Sequence, residues 1–337
     1  MPRTTVKDEV FKMLSDSQGS FFSGEALADR LCVSRAAVWK AVNALRAEGY
    51  PIEGTTNRGY ALAADFDLLS AGDVQTALTR EAAEAYDLTF FSVIDSTNTA
   101  LIAAGHTGAP AGTVYVAEEQ TAGKGRMGRA FYSPKGTGVY VSILLRPSIP
   151  AKDALFITTM AAVAGARACE QVLAHFGLPV DPVQIKWVND LFLRDRKIAG
   201  ILTEADLNVE TGGLSQAVLG IGFNLCPPEG GFPRDIAGVA GSLFEKRQPR
   251  GARALLTAFF LNEFYALYSA LPAHDFVAEY RARQLVLGCT VEVLRDTEVL
   301  YTARVLDVDD ACSLVVIPDG ETTPRVLNSG EVRIKLR

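Results

Sequence analysis

Three amphipathic helices are predicted in the first 49 residues, because apolar positions recur there every three or four residues. The first helix carries one apolar face, formed by Val6, Val10, Phe11 and Leu14. Ser23 and Ser34 precede the second and third helices and are predicted to be their N-caps. The third helix, SRAAVWKAVNALRAEG, is expected to end at Gly49 and to bury one stripe, formed by Val38, Ala41, Val42 and Leu45.

Two short strands around a Gly/Asn turn, in PIEGTTNRGYAL, complete this first region over residues 1–64. Helix, turn, helix and hairpin in this order are typical of a winged helix-turn-helix, whose second helix enters the major groove of DNA. From Ser34 to Glu48 the chain has three basic residues and one acidic residue, a local charge of +2, and Arg58 adds another cation at the wing. The DNA-binding candidates are therefore Ser34, Arg35, Lys40 and Arg58. A helical module used for protein contacts is the alternative.

The pattern changes after residue 64, where residues 65–84 are expected to form a linker that passes into a short helix. The next region, 85–285, alternates strand-like runs with a long amphipathic helix at about 152–174 and a helical stretch at about 251–284. Short spacing between its strands favours a mixed or antiparallel sheet. Period-two alternation over residues 286–337 predicts a small β-barrel. The fold class is thus α+β with several domains.

Composition narrows the class of protein. With 337 residues, roughly two or three domains are expected, and a chain that is 48% hydrophobic and 21% charged is ordinary for a folded protein. Apolar runs are broken by charges and the first residues lack a signal core, so a cytoplasmic location is expected, with no membrane span. The net charge of −6 argues against a surface that is basic throughout.

Cysteines and histidines are scattered along the chain. The five cysteines show no C-x-x-C spacing and are predicted to be reduced, buried thiols. The three histidines, His106, His175 and His274, are likewise unclustered. Neither a metal site nor a histidine-based catalytic triad is expected from such spacing.

The segment GKGRMGR at 123 to 129 raises a question of its own. Gly123, Gly125 and Gly128 satisfy G-x-G-x-x-G, but Pro134 and nearby glycines prevent the helix that a dinucleotide site requires. A P-loop needs a lysine and a hydroxyl after the last glycine, and Arg129 stands there instead. A mobile basic loop that closes over an anion remains as the other interpretation.

Three further stretches carry candidate chemistry. DSTN at 95 to 98 places two hydroxyls and an amide at a strand end. KWVND at 186 to 190 groups a cation, an indole, an amide and a carboxylate, and KIAGIL follows at 197 to 202. Lys197 lies across a predicted hairpin from Asp190, so the two side chains are expected to face one cleft. A purely structural ion pair is the alternative for this couple.

These stretches, with EEQTAGKGRMGR, FYSP, LGIGFNL and SGEV at 329 to 332, resemble biotin-protein ligases of the bifunctional bacterial type that also repress biotin genes. The resemblance implies a central ligase domain similar to class II aminoacyl-tRNA synthetases and an SH3-like C-terminal barrel. Three positions depart from the family pattern: Lys124 replaces an arginine, Phe131 a tryptophan and Val188 a proline. Charge and aromaticity survive at the first two positions, so activity is expected.

The resemblance also implies the chemistry. Biotin and ATP form biotinyl-5'-adenylate with Mg²⁺, and a lysine of a biotin carboxyl carrier protein, the expected partner, then attacks it. The implied catalytic residues are Arg126, Lys197 and Asp190. The implied biotin-binding residues are Ser96, Thr97, Asn98, Gln120, Gly123, Lys124, Arg126, Lys197, Gly200 and Gly220. The implied adenylate-binding residues are Arg126, Arg129, Phe131, Lys186, Asn189 and Asn224.

The basic glycine segment is expected to be a lid, hereafter the lid segment, residues 123–129, that shields a reactive anhydride from water. Repression implies DNA as a second partner, at a biotin operator, and a homodimer when the adenylate is bound. Two alternatives remain from the sequence. One is a lipoate-type acyl ligase, and the other is a ligand-sensing repressor without transfer activity.

Overall fold

The computed structural model describes residues 5–47, 50–64, 66–208, 212–295, 298–328 and 333–336. The chain divides into two compact units, Met1–Leu68 and Leu69–Arg337. In the first unit the helices are α1 (Val6–Asp16), α2 (Gly24–Leu31) and α3 (Arg35–Ala47), and the strands are β1 (Ile52–Thr55) and β2 (Gly59–Leu62).

The first unit is the predicted winged helix-turn-helix. The Ser23 hydroxyl accepts from the backbone N–H of Ala26 at 3.0 Å, and the Ser34 hydroxyl accepts from that of Ala37 at 3.2 Å, so both N-caps are confirmed. The buried stripe of α3 is the predicted one, Val38, Ala41, Val42 and Leu45. Strands β1 and β2 pair antiparallel as the wing. Gly49, the predicted end of α3, lies outside the described residues.

A seven-stranded mixed sheet is the centre of the second unit. Its strands are β3 (Asp87–Phe91), β4 (Thr113–Ala117), β5 (Gly138–Leu145), β6 (Gln184–Lys186), β7 (Asp190–Leu193), β8 (Arg196–Asn208) and β9 (Gly213–Asn224). The order is β3-β4-β5-β9-β8-β7-β6. Strands β3 and β4 pair parallel, and the remaining neighbours pair antiparallel. The prediction of a mixed or antiparallel sheet is confirmed.

Helices cover the sheet: α4 (Ala71–Ala77), α5 (Arg80–Ala85), α6 (Thr97–His106), α7 (Leu155–His175), α8 (Ala252–Ser269) and α9 (Phe276–Ala282). Helix α7 was predicted to be amphipathic, and it is instead buried on almost every side. The reason is its position, because strands of the sheet pack on one side of it and α8 and α9 on another. A helix that is apolar all round is typical of such a central position.

The predicted linker, residues 65–84, also differs in the structure. From Leu69 onward this segment belongs to the core of the second unit, and Val74 of α4 and Ala82 of α5 are fully buried. The Asn262 side chain of α8 accepts from the N–H of Thr79 at 2.9 Å and donates to the Ala77 carbonyl at 3.1 Å. Two helices too short to show a clear period therefore pack as part of the second unit.

The C-terminal region is a five-stranded antiparallel sheet. Its strands are β10 (Thr290–Arg295), β11 (Glu298–Val308), β12 (Leu314–Pro318), β13 (Arg325–Leu327) and β14 (Arg333–Leu336), in the order β13-β12-β11-β10-β14. The β-strands predicted for this region are confirmed as an antiparallel sheet, and its closure into a small SH3-like barrel stays a prediction. SGEV at 329 to 332 lies outside the described residues.

The exposure of the cysteines and the length of the helices complete the description of the fold. The cysteines are free thiols, but the prediction that all are buried is wrong, since Cys32 is exposed at the end of α2 and Cys289 is half-buried. Among the described helices, none is long and apolar enough to cross a membrane.

Candidate functional site

A cavity in the second unit, lined by polar and apolar side chains, gathers most of the predicted site residues. The start of α6, the lid segment, the turn between β6 and β7, and strands β8 and β9 line it. The predicted residues that line it are Ser96, Thr97, Asn98, Gln120, Lys124, Arg126, Arg129, Phe131, Lys186, Asn189, Asp190, Lys197, Gly200 and Gly220.

Two predicted residues lie outside this lining. A Cβ atom at Gly123 would lie 2.5 Å from the Phe131 carbonyl oxygen, so this glycine permits the two arms of the lid segment to approach each other. The Asn224 side chain donates to the Gly241 carbonyl at 3.0 Å and holds a neighbouring loop. The structure thus places both residues beside the cavity rather than on its surface.

The floor of the cavity is built from DSTN and Gln120. Ser96 is the N-cap of α6, with its hydroxyl 3.4 Å from the N–H of Thr99. Thr97 donates to the Gln120 Oε1 atom twice, from its N–H at 2.9 Å and from its hydroxyl at 3.0 Å. Two hydrogen bonds to one amide oxygen fix which end of the Gln120 side chain is the donor.

Asn98 is held by three hydrogen-bond partners, of which Ser142 is buried and Leu202 and Glu204 are half-buried. Its Nδ2 atom donates to Glu204 Oε2 at 2.9 Å and to the Leu202 carbonyl at 3.3 Å. The Ser142 hydroxyl lies 2.6 Å from Asn98 Oδ1 and 2.7 Å from Thr97 Oγ1, and its single hydrogen is shared between these two acceptors. Sequence reasoning missed Ser142 and Glu204, because nothing in VYVSILL or GILTEA marks them as partners of α6.

The lid segment forms a tight turn over the cavity. The N–H of Gly125 donates to the Arg129 carbonyl at 2.7 Å, and Met127 takes a left-handed conformation with φ of 55°. Arg126 points inward and donates to Asn189 Oδ1 at 3.2 Å. Burial lowers the pKa of the Arg126 guanidinium, and the nearby Asp190 carboxylate opposes that effect. A partly desolvated guanidinium is therefore held at the cavity surface.

An aromatic ring packs on two glycines of the sheet. A Cβ atom at Gly222 would overlap the Phe131 ring, and one at Gly200 would lie 3.1 Å from it. The same argument applies to Gly220, where a Cβ atom would collide with the Asn98 amide. Glycines on neighbouring strands thus leave space for an aromatic ring and an amide beside the cavity.

The turn KWVND is fixed from outside the sheet. The Trp187 indole donates to the Cys312 carbonyl at 3.0 Å, and the Tyr280 hydroxyl donates to the Val188 carbonyl at 3.0 Å. The Asn189 Nδ2 atom donates to the Ile201 carbonyl at 2.7 Å, which leaves its Oδ1 atom for Arg126. Helix α9 and the C-terminal sheet therefore orient one wall of the cavity.

Asp190 and Lys197 face the cavity together and also pair with each other. Lys197 Nζ lies 2.6 Å from Asp190 Oδ1, and the side chains are 27% and 24% exposed, respectively. The prediction of a shared cleft and the alternative of an ion pair therefore describe one arrangement. A pair at a cavity wall, open to a ligand on one side, can exchange its partner for a substrate group.

The electrostatic character of the cavity is strongly positive. Five cationic side chains line it, Lys124, Arg126, Arg129, Lys186 and Lys197, whereas Asp190 is the single carboxylate in the described lining. Cations concentrated in a concave site attract anions. Across the described residues, no group of three or more His, Cys, Asp or Glu side chains is arranged to hold a metal ion.

The DNA-binding candidates are all on the surface of the first unit. Ser34, Arg35, Lys40 and Arg58 are exposed, and the Arg58 guanidinium lies 4.1 Å from the centre of the Phe21 ring. Arg35, Trp39 and Arg46 line a groove between α3 and the wing, with Thr55, Thr56 and Asn57 on the other side. Trp39, 61% exposed, was not predicted as a site residue.

Comparisons with known proteins extend these observations. Residues 90–224 match the model of the biotin/lipoate A/B protein ligase family, and residues 7–61 match an HTH domain model. The chain is 33% identical over 274 residues to the bifunctional ligase/repressor BirA of Bacillus subtilis, covering 81% of this chain and 82% of that relative. It is 35% identical over 226 residues to BirA of Escherichia coli, covering 67% and 65%.

A solved structure has the same fold. The biotin protein ligase from Aquifex aeolicus, in complex with biotin and ATP, superposes with a TM-score of 0.59 at 23% identity, over 74% of this chain and 99% of that one.

Proposed function

Because this chain belongs to the family of bifunctional ligase/repressor proteins, we propose that the cavity binds biotin and ATP and that the first unit binds operator DNA. The protein is an ATP-dependent biotin ligase of the biotin-[acetyl-CoA-carboxylase] type with a repressor role. One observation supports the assignment of the cavity above all, namely its neutral hydrogen-bonding floor below a rim of five cations. That arrangement is complementary to a ligand with a neutral polar head and anionic reacting groups.

We assign the head of biotin to the floor. Thr97 donates to both lone pairs of Gln120 Oε1, and Ser133 accepts from one of the two N–H groups on Gln120 Nε2. Within the described part of the chain, the second N–H group is therefore left to face the ligand. Both N–H groups of Asn98 are bonded to the protein, and the Ser142 hydroxyl uses one lone pair of Oδ1, so the other lone pair is left for the ligand. Ser96, Thr97, Asn98 and Gln120 therefore offer both donors and acceptors to a cyclic urea.

The cationic rim serves the first half-reaction. A biotin carboxylate oxygen bonds to the α-phosphorus of ATP while the bond to the bridging oxygen breaks, and pyrophosphate leaves. Lys124, Arg126, Arg129 and Lys197 offset the negative charge that redistributes over these oxygens. Asn189 and Phe131 face the adenine in this assignment, beside Lys186. Gly123 and Asn224 are not assigned to ligand contact, because each supports a loop beside the cavity.

A magnesium ion fits this site as a companion of the nucleotide. Mg²⁺ is commonly held by one or two carboxylates together with substrate phosphates, and because Asp190, the one carboxylate in the described lining, is paired with Lys197, the ion would be held mainly by the phosphates. When bound, the ion neutralises phosphate charge.

The second half-reaction transfers biotin to a carrier protein. The acceptor lysine amine attacks the acyl carbon of the adenylate, the bond to the phosphate oxygen breaks, and AMP leaves. A lysine amine is mostly protonated at neutral pH, so a base must receive its proton. Asp190 is suitably placed, since its carboxylate lies at the cavity wall beside the reacting end.

Incubation of the protein with biotin, ATP and Mg²⁺ followed by native mass spectrometry tests the proposal. We expect a mass increase that corresponds to bound biotinyl-adenylate. Lipoate in place of biotin is the matched control, since a lipoate-type ligase would retain lipoyl-adenylate instead. A protein that retains neither adenylate would contradict the proposed function.

Each region of the chain is assigned one function in this proposal. We assign DNA binding to residues 1–64, ligation to 85–285 and support of the cavity wall to 286–337. Residues 65–84 contribute to the ligase unit through α4 and α5. The protein acts in the cytoplasm, its acceptor is a biotin carboxyl carrier protein, and the adenylate-bound form dimerises on paired half-sites. Adenylate that favours the dimer tightens DNA binding by about 1 to 3 kcal/mol, roughly 5- to 150-fold.

Replacing Arg35 or Lys40 by alanine is expected to weaken operator binding. Each side chain is exposed on the recognition helix α3, where a cation contacts phosphate or a base edge. For a phosphate contact, the slope of log affinity against log salt falls by about one unit. Electrophoretic mobility shifts at several salt concentrations measure both quantities, with and without biotin and ATP.

The matched control is Arg80→Ala, which removes another exposed cation, this one from the second unit. We expect it to leave operator affinity unchanged. Equal losses for all three variants would show a general charge effect and would contradict the assignment of α3 as the recognition helix.

A further inference from the structure

A continuous chain of side-chain hydrogen bonds joins the middle of the sheet to the lid segment. The Ser142 hydroxyl shares its hydrogen between Thr97 Oγ1 at 2.7 Å and Asn98 Oδ1, and the Thr97 hydroxyl donates to Gln120 Oε1 at 3.0 Å. The Gln120 Nε2 atom donates to the Ser133 hydroxyl at 3.1 Å, and that hydroxyl donates to the Phe131 carbonyl at 2.9 Å. Each donor points toward the lid segment, so the four bonds share one polarity.

The hydroxyls of this hydrogen-bond chain are shielded from water. Ser142 is fully buried and Ser133 is 4% exposed, so water does not compete readily for either hydroxyl. Hydrogen bonds that follow one another with the same polarity strengthen each other in such surroundings. A change in orientation at one member therefore alters the bonds of its neighbours.

Ser133 occupies the point where the two arms of the lid segment meet. Its carbonyl accepts from the N–H of Gln120 at 3.0 Å, just before the segment. The N–H of Phe131, just after the segment, donates to the Gly123 carbonyl at 2.8 Å. A Cβ atom at Gly123 would lie 2.6 Å from the Ser133 hydroxyl oxygen, so this hydroxyl contacts both ends of the segment.

We propose that Ser133 is a positioning residue that couples occupancy of the biotin head pocket to ordering of the lid segment. The inference rests on the proposed function, because the coupling begins when biotin engages the remaining N–H of Gln120. That contact fixes the Gln120 amide, which fixes the Ser133 hydroxyl and, through it, the Phe131 carbonyl. The pocket and the lid segment then share one hydrogen-bond network whose equilibrium the ligand biases.

Hydrogen exchange of residues 123–129 in the full chain, with and without saturating biotin, tests the coupling. In the unsubstituted protein, biotin is expected to slow exchange across these residues. In Ser133→Ala, we expect the slowing to be about 5- to 10-fold smaller, the factor that corresponds to one hydrogen bond. Because coupling is reciprocal, biotin affinity measured by calorimetry falls by a similar factor.

Two further variants separate coupling from a general structural effect. Ser142→Ala removes the first hydroxyl of the hydrogen-bond chain, at the end far from the lid segment. We expect this variant to bind biotin more weakly. Once biotin is saturating, we expect hydrogen exchange of the lid segment to be slowed as much as in the unsubstituted protein. Ser215→Ala removes an exposed hydroxyl that bonds to the Asp206 carbonyl in the same sheet, and it is expected to change neither quantity.

Full protection of the lid segment by biotin in Ser133→Ala would overturn the proposal, as would equal effects in Ser133→Ala and Ser215→Ala. If Ser133→Ala does not fold, Ser133→Cys keeps a weaker donor at this position and is expected to show partial protection; protection equal to that of the unsubstituted protein would overturn the proposal equally. Absence of biotin binding in the unsubstituted protein would instead contradict the proposed function.

Discussion

Lys197→Ala is expected to slow adenylate formation by about 10²- to 10³-fold, the range found when one donor to a developing oxyanion is removed. The substitution does more than delete a cation, because the Asp190 carboxylate, now 2.6 Å from the Lys197 ammonium, would face the incoming carboxylate and phosphates without it. Repulsion therefore adds to the loss of attraction, and biotin affinity falls as well. Single-turnover pyrophosphate release and calorimetry measure the two effects.

Asp190→Asn provides the matched comparison, since it keeps the shape of the side chain and removes its charge. We expect it to slow transfer to the carrier lysine more than adenylation, because the amine loses the group that receives its proton. Transfer is measured separately by adding carrier protein to preformed adenylate complex. Equal losses in both half-reactions for both variants would favour a purely structural ion pair.

Arg126→Gly is expected to release biotinyl-adenylate about 10- to 100-fold faster, since one charge-assisted hydrogen bond contributes roughly 1.5 to 3 kcal/mol. Arg126 bonds to the cavity wall through Asn189. Its loss leaves the lid segment without this inward contact, and adenylate that escapes labels lysines on bystander proteins. Dissociation is followed by chasing labelled adenylate with excess unlabelled ligand.

Arg129→Gly is the control for lid flexibility. It removes an equal charge and adds an equal glycine in the same segment, but it leaves the bond between Arg126 and Asn189 intact. We expect adenylate retention to fall much less than in Arg126→Gly. Equal release rates would assign the effect to the flexibility of the segment and would contradict the inward clamp.

Local pattern was sufficient for much of this fold. The stripe from Val38 to Leu45 and the caps at Ser23 and Ser34 depend on contacts within a few residues, so period and side-chain chemistry identify them directly. The strands of the mixed sheet were likewise found, because long apolar runs between turns have few other interpretations. The family resemblance then identified which polar residues gather at the cavity.

Contacts between residues far apart in the sequence could not be predicted from local pattern. Ser142 and Asn98 are 44 residues apart, and a lone serine inside an apolar strand does not reveal which helix it meets. Helix α7 was predicted to be amphipathic, but its threonines and most of its small residues are buried as well. Strands of the sheet on one side of α7 and helices α8 and α9 on another cover them. Tertiary neighbours, which no local pattern encodes, decided each of these positions.

The bond between Trp187 and Cys312 spans 125 residues, so the nucleotide side of the cavity depends on two regions distant in the chain. A contact between residues so far apart in the chain requires the intervening chain to be folded, so the wall at KWVND is expected to form together with the rest of the second unit. Its integrity reports on the whole second unit, and a tight ligand there raises the unfolding temperature of that unit rather than of one hairpin.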